Sequence, residues 1–422
     1  MYKKHQLSNG LNIIASRMPH MNSVSLGIWI GVGGRYEKSR QSGISHLIEH
    51  MLFKGTHRRS AREIKESVEG VGGSLNGFTA DEATCYMVKV PSHRLELGLD
   101  ILTDMVFNAK FDKEDIEREK FVVLEEIKMY KDQPSERVMD LLGETMWPGN
   151  ALGRPLTGSM KTVKSFKRDE IIKFKENNYY PANMAVIASG RLVPETVIKY
   201  AQKAFKGPRR KKVLLKVPDT SQKCARTRFS QGDTSQAHLA MGFYVDAKNR
   251  RERFAIKLMN VILGGNMSSR LFEELREKHG LCYDIGSTYK RHRDVGEFVV
   301  HAGVDNKKAL RSVVAILDEL RKIRDVGVTG GELFRAKEFA KGQFQLALEN
   351  TSARMLWFGD RLMVDGSIPC AKSVLKEVDR ITESDIRKVC EKLFKAQLIN
   401  LAMVGKASVK EKNQMRKVVG EL

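Results

Sequence analysis

Two hydrophobic periods run along this chain. A period of two marks strands, as in "SVSLGIWIGVGG" around Leu26, whereas runs such as "DEIIKFKENN" show the polar and apolar faces of a helix. The first residues, "MYKKHQLSNGLNIIASRM", predict a strand, a tight turn at Asn9-Gly10 and a second strand. Hairpins of this kind mixed with long amphipathic helices predict an α+β class, mostly antiparallel sheets with helices packed on one face.

The pattern also returns on itself. Residues 169–190 read as a helix, then Pro181, then an apolar strand ending at Gly190, and residues 384–405 repeat that order. Ile171 lines up with Ile386 and Gly190 with Gly405, both at an offset of 215. Near the other end of each half, "QAHLAMGFYVDA" places Leu239 opposite Leu26, an offset of 213. Such agreement predicts two duplicated domains. Gly207, Pro208, a basic run and Pro218 interrupt periodicity, so a linker at 207–222 is expected between domains at 1–210 and 223–422. Two such halves can enclose a chamber, a site in one being completed by residues of the other.

Length and composition agree with this division. The chain has 422 residues, 41% of them hydrophobic, enough to fill two cores. Its five cysteines show no paired spacing, which points to reduced thiols in a cytoplasmic setting rather than a disulfide frame. No segment approaches a membrane span or the apolar run of a signal peptide. The formal net charge of +22 attracts anions at long range, but the basic residues are mostly interspersed with acids on helical faces. The one dense run, "KGPRRKKVLLK" at 206–216, lacks interleaved aromatics, so nucleic acid is not the expected partner.

The chemistry concentrates in "GISHLIEHML", residues 43–52. On a helix, residues four apart share a face, so His46 and His50 can offer imidazole nitrogens to one cation. Glu49 stands close enough to reach a water at that cation without ligating it. A hydrolytic site needs a third protein ligand, which this stretch lacks. The donor is sought on "DKEDIEREKFVVLEEIKMYKD", residues 112–132, where Glu119 and Glu126 lie two helical turns apart on one face. Glu125 points about 100° away from Glu126.

"HLIEH" followed by Glu126 within "EKFVVLEE" resembles the inverted zinc-peptidase family of pitrilysin and insulin-degrading enzyme. Size and details are most similar to its short-subunit branch, which includes the β-subunit of the mitochondrial processing peptidase. The similarity spans the whole chain, including "GGSLNGFTADEATCY" and "SSRLFEELREKHGLCYDIGS". The resemblance implies one Zn2+ per chain held by His46, His50 and Glu126, with Glu49 as general base and Glu119 as a supporting acid. It implies that Arg276 and Tyr283 in "LREKHGLCY" reach substrate. It also implies that Asn76, Gly77 and Phe78 lie on an edge strand to which an extended peptide adds. The family more often has alanine where Gly77 stands.

The function so implied is zinc-dependent endopeptidase action on peptides or unfolded segments. Glu136 and Asp140, one turn apart in "QPSERVMDLLGE", match acids that hold an arginine near the cleaved bond in the processing branch. Cleavage near arginine is therefore expected, unless Arg137 and Lys131 neutralise the pair. The competing reading is a non-catalytic or partner-dependent subunit. This chain carries both the zinc motif and a glycine-rich loop, "LGGNMSSRL" at 263–271, with Asn266 where a glycine is common, so a self-sufficient homodimer is expected.

Overall fold

The computed structural model describes residues 2–208, 215, 217–246 and 249–422. Most of the basic run and part of the expected linker, residues 209–214 and 216, lie outside the described residues. The N-terminal hairpin forms β1 (Lys3–Gln6) and β2 (Asn12–Arg17). Its connection is longer than a two-residue turn: the Leu7 and Leu11 backbones pair at 3.0 Å, and Gly10 takes φ 91°. Asn9 Oδ1 accepts the Leu11 N–H, a local bond that its short side chain favours.

The sheet of the first unit continues with β3 (Ser23–Ile30), β4 (Ser74–Thr79), β5 (Thr84–Pro91) and β6 (Met184–Gly190). Its spatial order is β1-β2-β6-β3-β5-β4, with β2 and β6 parallel and the other pairs antiparallel. The second unit has β7 (Arg226–Ser230), β8 (Gln236–Asp246), β9 (Cys282–Arg291), β10 (Val295–Asp305) and β11 (Asn400–Val404). Its order is β7-β11-β8-β10-β9, again with one parallel pair, β11 with β7.

The first half of the sequence supplies α1 (Ile44–Leu52), α2 (Ala61–Glu69), α3 (Leu95–Asn108), α4 (Lys113–Asp132) and α5 (Pro134–Met146). It continues with α6 (Met160–Ser165), α7 (Arg168–Asn178) and α8 (Pro194–Ala204). The second half supplies α9 (Arg250–Leu263), α10 (Ala309–Asp325), α11 (Gly330–Glu349) and α12 (Thr351–Asp365). It ends with α13 (Ala371–Asp379), α14 (Glu383–Leu393) and α15 (Val409–Val419). No helix among the described residues is long and apolar enough to cross a membrane.

The duplication is physical. Leu26 on β3 and Leu239 on β8 are both buried, as are Ile171 on α7 and Ile386 on α14. Gly190 and Gly405 close β6 and β11 with φ 141° and 149°, a region L side chains rarely enter. A Cβ at Gly190 would lie 2.3 Å from the Ser23 carbonyl oxygen, and one at Gly405 would lie 2.7 Å from Ala237 Cα. The repeated glycine thus marks a repeated close approach of backbones.

Unit 1 comprises Met1–Ile127, Arg154–Leu215 and Gln345–Ile368, and unit 2 comprises Lys128–Gly153, Lys216–Phe344 and Pro369–Leu422. Each therefore includes a helix from the other half of the sequence. In unit 1 the main helical layer covers one face of the sheet, and α12 covers the other. There Met355, Phe358 and Leu362 pack on Trp29, Cys85 and Ile187. Gly359 is needed for this approach, since a Cβ would fall 2.0 Å from the Trp29 ring. In unit 2, α5 sets Val138, Leu142 and Met146 against Ala240, Tyr244 and Val299. Apolar burial of this kind yields roughly 25 cal/mol per Å² of area removed from water.

Candidate metal centre

Helix α1 packs on β4 and β5 through Leu47, Ile48, Met51 and Leu52, all fully or almost fully buried. Those four residues fix its rotation, which leaves His46, Glu49 and His50 together on the half-buried side. Helix α4 is anchored by Ile116, Val123 and Ile127, and this places Glu119 and Glu126 opposite the histidines.

The donor atoms converge. His46, His50 and Glu126 each present a ligand atom, and all three atoms lie within 4.8 Å of one another. Glu126 Oε2 is 3.7 Å from His46 Nε2 and 3.8 Å from His50 Nε2. Tetrahedral zinc with bonds of about 2.0–2.2 Å would set its donors about 3.3–3.5 Å apart. The two histidine–Glu126 separations come within that range after a contraction of a few tenths of an ångström, so the donor set fits zinc in kind and in these distances. Glu125 is exposed and lies outside this cluster.

His50 Nδ1 lies 3.1 Å from Glu119 Oε2, and Lys54 Nζ lies 2.5 Å from Glu119 Oε1. Burial works to raise the Glu119 pKa, but the bonds from His50 and Lys54 outweigh it and hold the carboxyl below its ordinary range. An ionised carboxylate only accepts, so Nδ1 carries the proton of that bond, which leaves Nε2, on the Glu126 side, as the nitrogen available to a cation. Burial also opposes a charge on His50, yet the Glu119 bond and the charges of Glu126 and Glu49 raise its affinity for a proton. The site calls for positive charge at that point.

His46 differs. Burial first, and the neighbouring His50 second, bring its pKa down to about 4, so its imidazole is neutral, the form that ligates metal. Its Nδ1 is buried without a hydrogen-bond partner among the described residues. Glu49 is pushed up chiefly by burial, with Glu126 adding, while the Thr79 bond and His50 oppose. Thr79 Oγ1 donates to Glu49 Oε2 at 2.7 Å.

Asn76, Gly77 and Phe78 lie on β4, the edge of the sheet. Gly77 and Thr79 face α1, and a Cβ at Gly77 would meet Phe53 at 3.2 Å and Glu49 Cγ at 3.3 Å. Phe78 points to the opposite face, edge-on to Trp29 at 5.5 Å. Asn76 Oδ1 accepts the Gly77 N–H at 2.8 Å. Of the three, Gly77 is the one whose Cβ position borders Glu49.

The remaining candidates belong to unit 2. The Arg276 guanidinium stacks between the rings of Phe272 and Tyr283, 4.6 Å from each centroid. Tyr283 is 76% exposed, so it is not a core aromatic. On α5, Glu136, Asp140 and Glu144 follow one another at single-turn intervals, and Arg137 reaches Glu144 at 3.6 Å. Burial pushes Asp140 up to about 6, with Glu144 and Glu136 adding and Arg137 and Lys131 opposing. Thr79 and Lys54 are site residues that sequence reasoning missed. The only signal for Lys54 was its place four residues after His50, and nothing local marks Thr79.

Comparisons with known proteins identify the family. Residues 12–160 match the insulinase family profile, peptidase family M16, and residues 165–339 match the profile described as the peptidase M16 inactive domain. An uncharacterized zinc protease of Bacillus subtilis is 34% identical over 397 residues, covering 93% of this chain and 96% of the relative. One from Streptomyces coelicolor is 33% identical over 428 residues, with 99% and 92% covered. In fold, the chain matches the crystal structure of a protease from Helicobacter pylori with a TM-score of 0.89 at 23% identity, covering 96% of this chain and 99% of that one. Donor set, supporting carboxylate and sequence relatives lead to one assignment: this chain belongs to the insulinase family of zinc peptidases, family M16.

Proposed function

We propose that the chain is a zinc-dependent endopeptidase acting on peptides or unfolded segments, with one Zn2+ per chain held by His46, His50 and Glu126. The observation that carries this reading is the convergence of those three donors beside a half-buried, hydroxyl-held glutamate. Zinc, when bound, supplies a Lewis acid that polarises a carbonyl and acidifies water. Glu49 is suited to take the proton of the attacking water, since burial raises its proton affinity and Thr79 fixes one of its oxygens. The same carboxyl then delivers the proton to the leaving amine. Glu119, itself held by Lys54, fixes the ring of His50.

Strand β4, the last strand of its sheet among the described residues, offers an edge to an extended peptide. Gly77 gives the incoming backbone close access to Glu49. We retain Arg276 and Tyr283 as substrate-contacting candidates, supported by the exposure of Tyr283 and by its stacking on Arg276. The acids Glu136 and Asp140 support a preference for arginine near the cleaved bond, by charge-assisted bidentate bonds. The test is metal analysis of the purified chain with cleavage-site mapping on a mixed peptide library. Changing Glu136 to Gln together with Asp140 to Asn should flatten an arginine preference and leave zinc in place. We further propose a homodimer needing no unlike partner, which light scattering on the active preparation checks. A metal-free preparation that stays inactive when zinc is supplied would favour the non-catalytic subunit instead.

A further inference from the structure

The zinc-binding helix has no cap of its own. Its N-cap residue is Gly43, in the left-handed region at φ 93° and without a side chain to offer. No other residue type fits there: a Cβ would fall 2.5 Å from the Thr157 carbonyl oxygen and 2.9 Å from Gly158 Cα. The first N–H groups of a helix lack partners within it. In α1 they find one carboxylate six residues upstream of the cap. Glu37 Oε2 accepts the Gly43 N–H at 2.8 Å, and Glu37 Oε1 accepts the Ser45 N–H at 2.8 Å. Ser45 directly precedes His46.

Glu37 is itself tied to the strand that faces the helix. It follows the turn Gly34–Tyr36, whose Gly34 and Arg35 N–H groups bond to the Ala80 and Asp81 carbonyls at 3.2 and 2.8 Å. A buried ion pair, Arg35 Nη1 with Glu82 Oε1 at 2.5 Å, locks the same two segments together. Residues 80–83 close the hairpin whose strand β4 ends at Thr79, the residue that donates to Glu49. Arg154 adds a bond from Nη2 to the Glu37 carbonyl oxygen at 2.5 Å. One frame therefore sets both the N-terminus of α1 and the hydroxyl that holds its base.

The charge has a second consequence. The N-terminus of a helix carries about half a positive charge, which disfavours a dication one turn away. A carboxylate on that terminus offsets it. We propose that Glu37 is a positioning residue for the metal centre, holding α1 in the rotation that brings His46 into line and neutralising the helix end beside the zinc. This rests on the metal reading of the proposed function. It is distinct from that reading, because the donors and the base are complete without Glu37.

Burial pushes the Glu37 carboxyl up to about 7, against its two amide bonds. Holding the charge there costs the fold free energy, so Glu37→Gln should not unfold the chain. The amide keeps one acceptor but turns an N–H toward an N–H. Zinc affinity of the purified chain is measured by competition with a chelator, together with the visible absorption of the cobalt-substituted protein and the melting temperature of the metal-free form. Glu37→Gln is expected to weaken zinc by about tenfold or more, the scale seen when an outer partner of a metal ligand is lost. It should also shift the cobalt bands and lower kcat more than it raises KM. The metal-free melting temperature should change little. Glu37→Asp, too short to reach both amides, should be intermediate, and it serves if the glutamine variant does not fold. Unchanged zinc affinity and cobalt bands in a folded variant would overturn the assignment. So would a loss matched by a fall in the metal-free melting temperature. Wild-type zinc binding separates the two ideas: its absence removes the metal reading and this inference together, whereas its presence with silent variants removes the inference alone.

Discussion

In α1 the buried positions are Ile44, Ser45, Leu47, Ile48, Met51 and Leu52; in α9 the same spacing buries Ala255, Ile256, Leu258, Met259, Ile262 and Leu263. On that register His46, Glu49 and His50 of unit 1 correspond to Lys257, Asn260 and Val261 of unit 2. The surroundings correspond as well. Thr79 on the edge strand β4 donates to Glu49, and Ser287 on the edge strand β9 donates to Asn260 Oδ1 at 2.9 Å. Helices α4 and α11, of equal length, show the same substitution of chemistry: Glu119 and Glu126 stand where α11 has Ala336 and Gln343. Capping differs too, since α9 takes its first N–H groups on its own Asn249 while α1 depends on Glu37. The apolar positions that fix the helix were kept in both copies. The half-exposed positions beside them, which packing leaves free, carry two histidines and a glutamate in one copy and a lysine, an asparagine and a valine in the other.

The largest expected effect comes from giving unit 1 the amide of unit 2. Glu49→Gln should retain zinc and lose peptide hydrolysis by about a thousandfold. Near-normal turnover in a zinc-loaded, contaminant-free preparation would remove Glu49 as the base. Next, Glu126→Gln, which gives α4 the residue found in α11, should strip most of the metal, while Glu125→Gln should leave it. Metal analysis of the two variants reads this directly, and the reverse pattern would overturn the ligand assignment.

The exchanged helices sharpen the comparison at the level of folding. A chain of residues 1–210 holds every proposed zinc ligand but lacks α12, so the face formed by Trp29, Cys85 and Ile187 would be bare. It is expected to bind an apolar dye, aggregate and cleave peptides poorly. Full activity from that piece would sink the assignment of α12 to the first unit's core. A smaller effect is expected from Gly359→Ala, which forces a methyl into the Trp29 ring and should cost about 1–3 kcal/mol by thermal unfolding.

The smallest effect is on pH. The Asp140 carboxyl titrates at about 6 in the fold, above its ordinary value of 3.8. Ionising it therefore costs stability that accumulates as pH rises from 3.8 through 6. Asp140→Asn should raise the melting temperature at pH 7.5, by a free energy on the order of 1 kcal/mol, and leave it unchanged near pH 3.5. An equal shift at both values would show that the amide acts through packing instead.

The sequence by itself determined the class of fold and the duplication, and it pointed to the candidate donors. Each depends on periodicity or short spacing: alternation in β3 and β8, repeated glycines at Gly190 and Gly405, and two histidines four apart on one helix. Spacing along α4 also showed that Glu119 and Glu126 share a face, though which of them faces both Nε2 atoms and which bonds His50 Nδ1 came from resemblance and then from the distances. Only the tertiary structure decided what depends on contacts between distant segments. That Glu37 caps α1, that Thr79 and Lys54 hold the two glutamates, that Phe78 turns away from the site, and that α5 and α12 serve the sheets of the opposite halves could not be read along the chain. Periodicity tells which face of an element is buried, but not which element buries it. The partner is chosen by shape and by the need of buried polar groups for hydrogen bonds, and both exist only once the chain has folded.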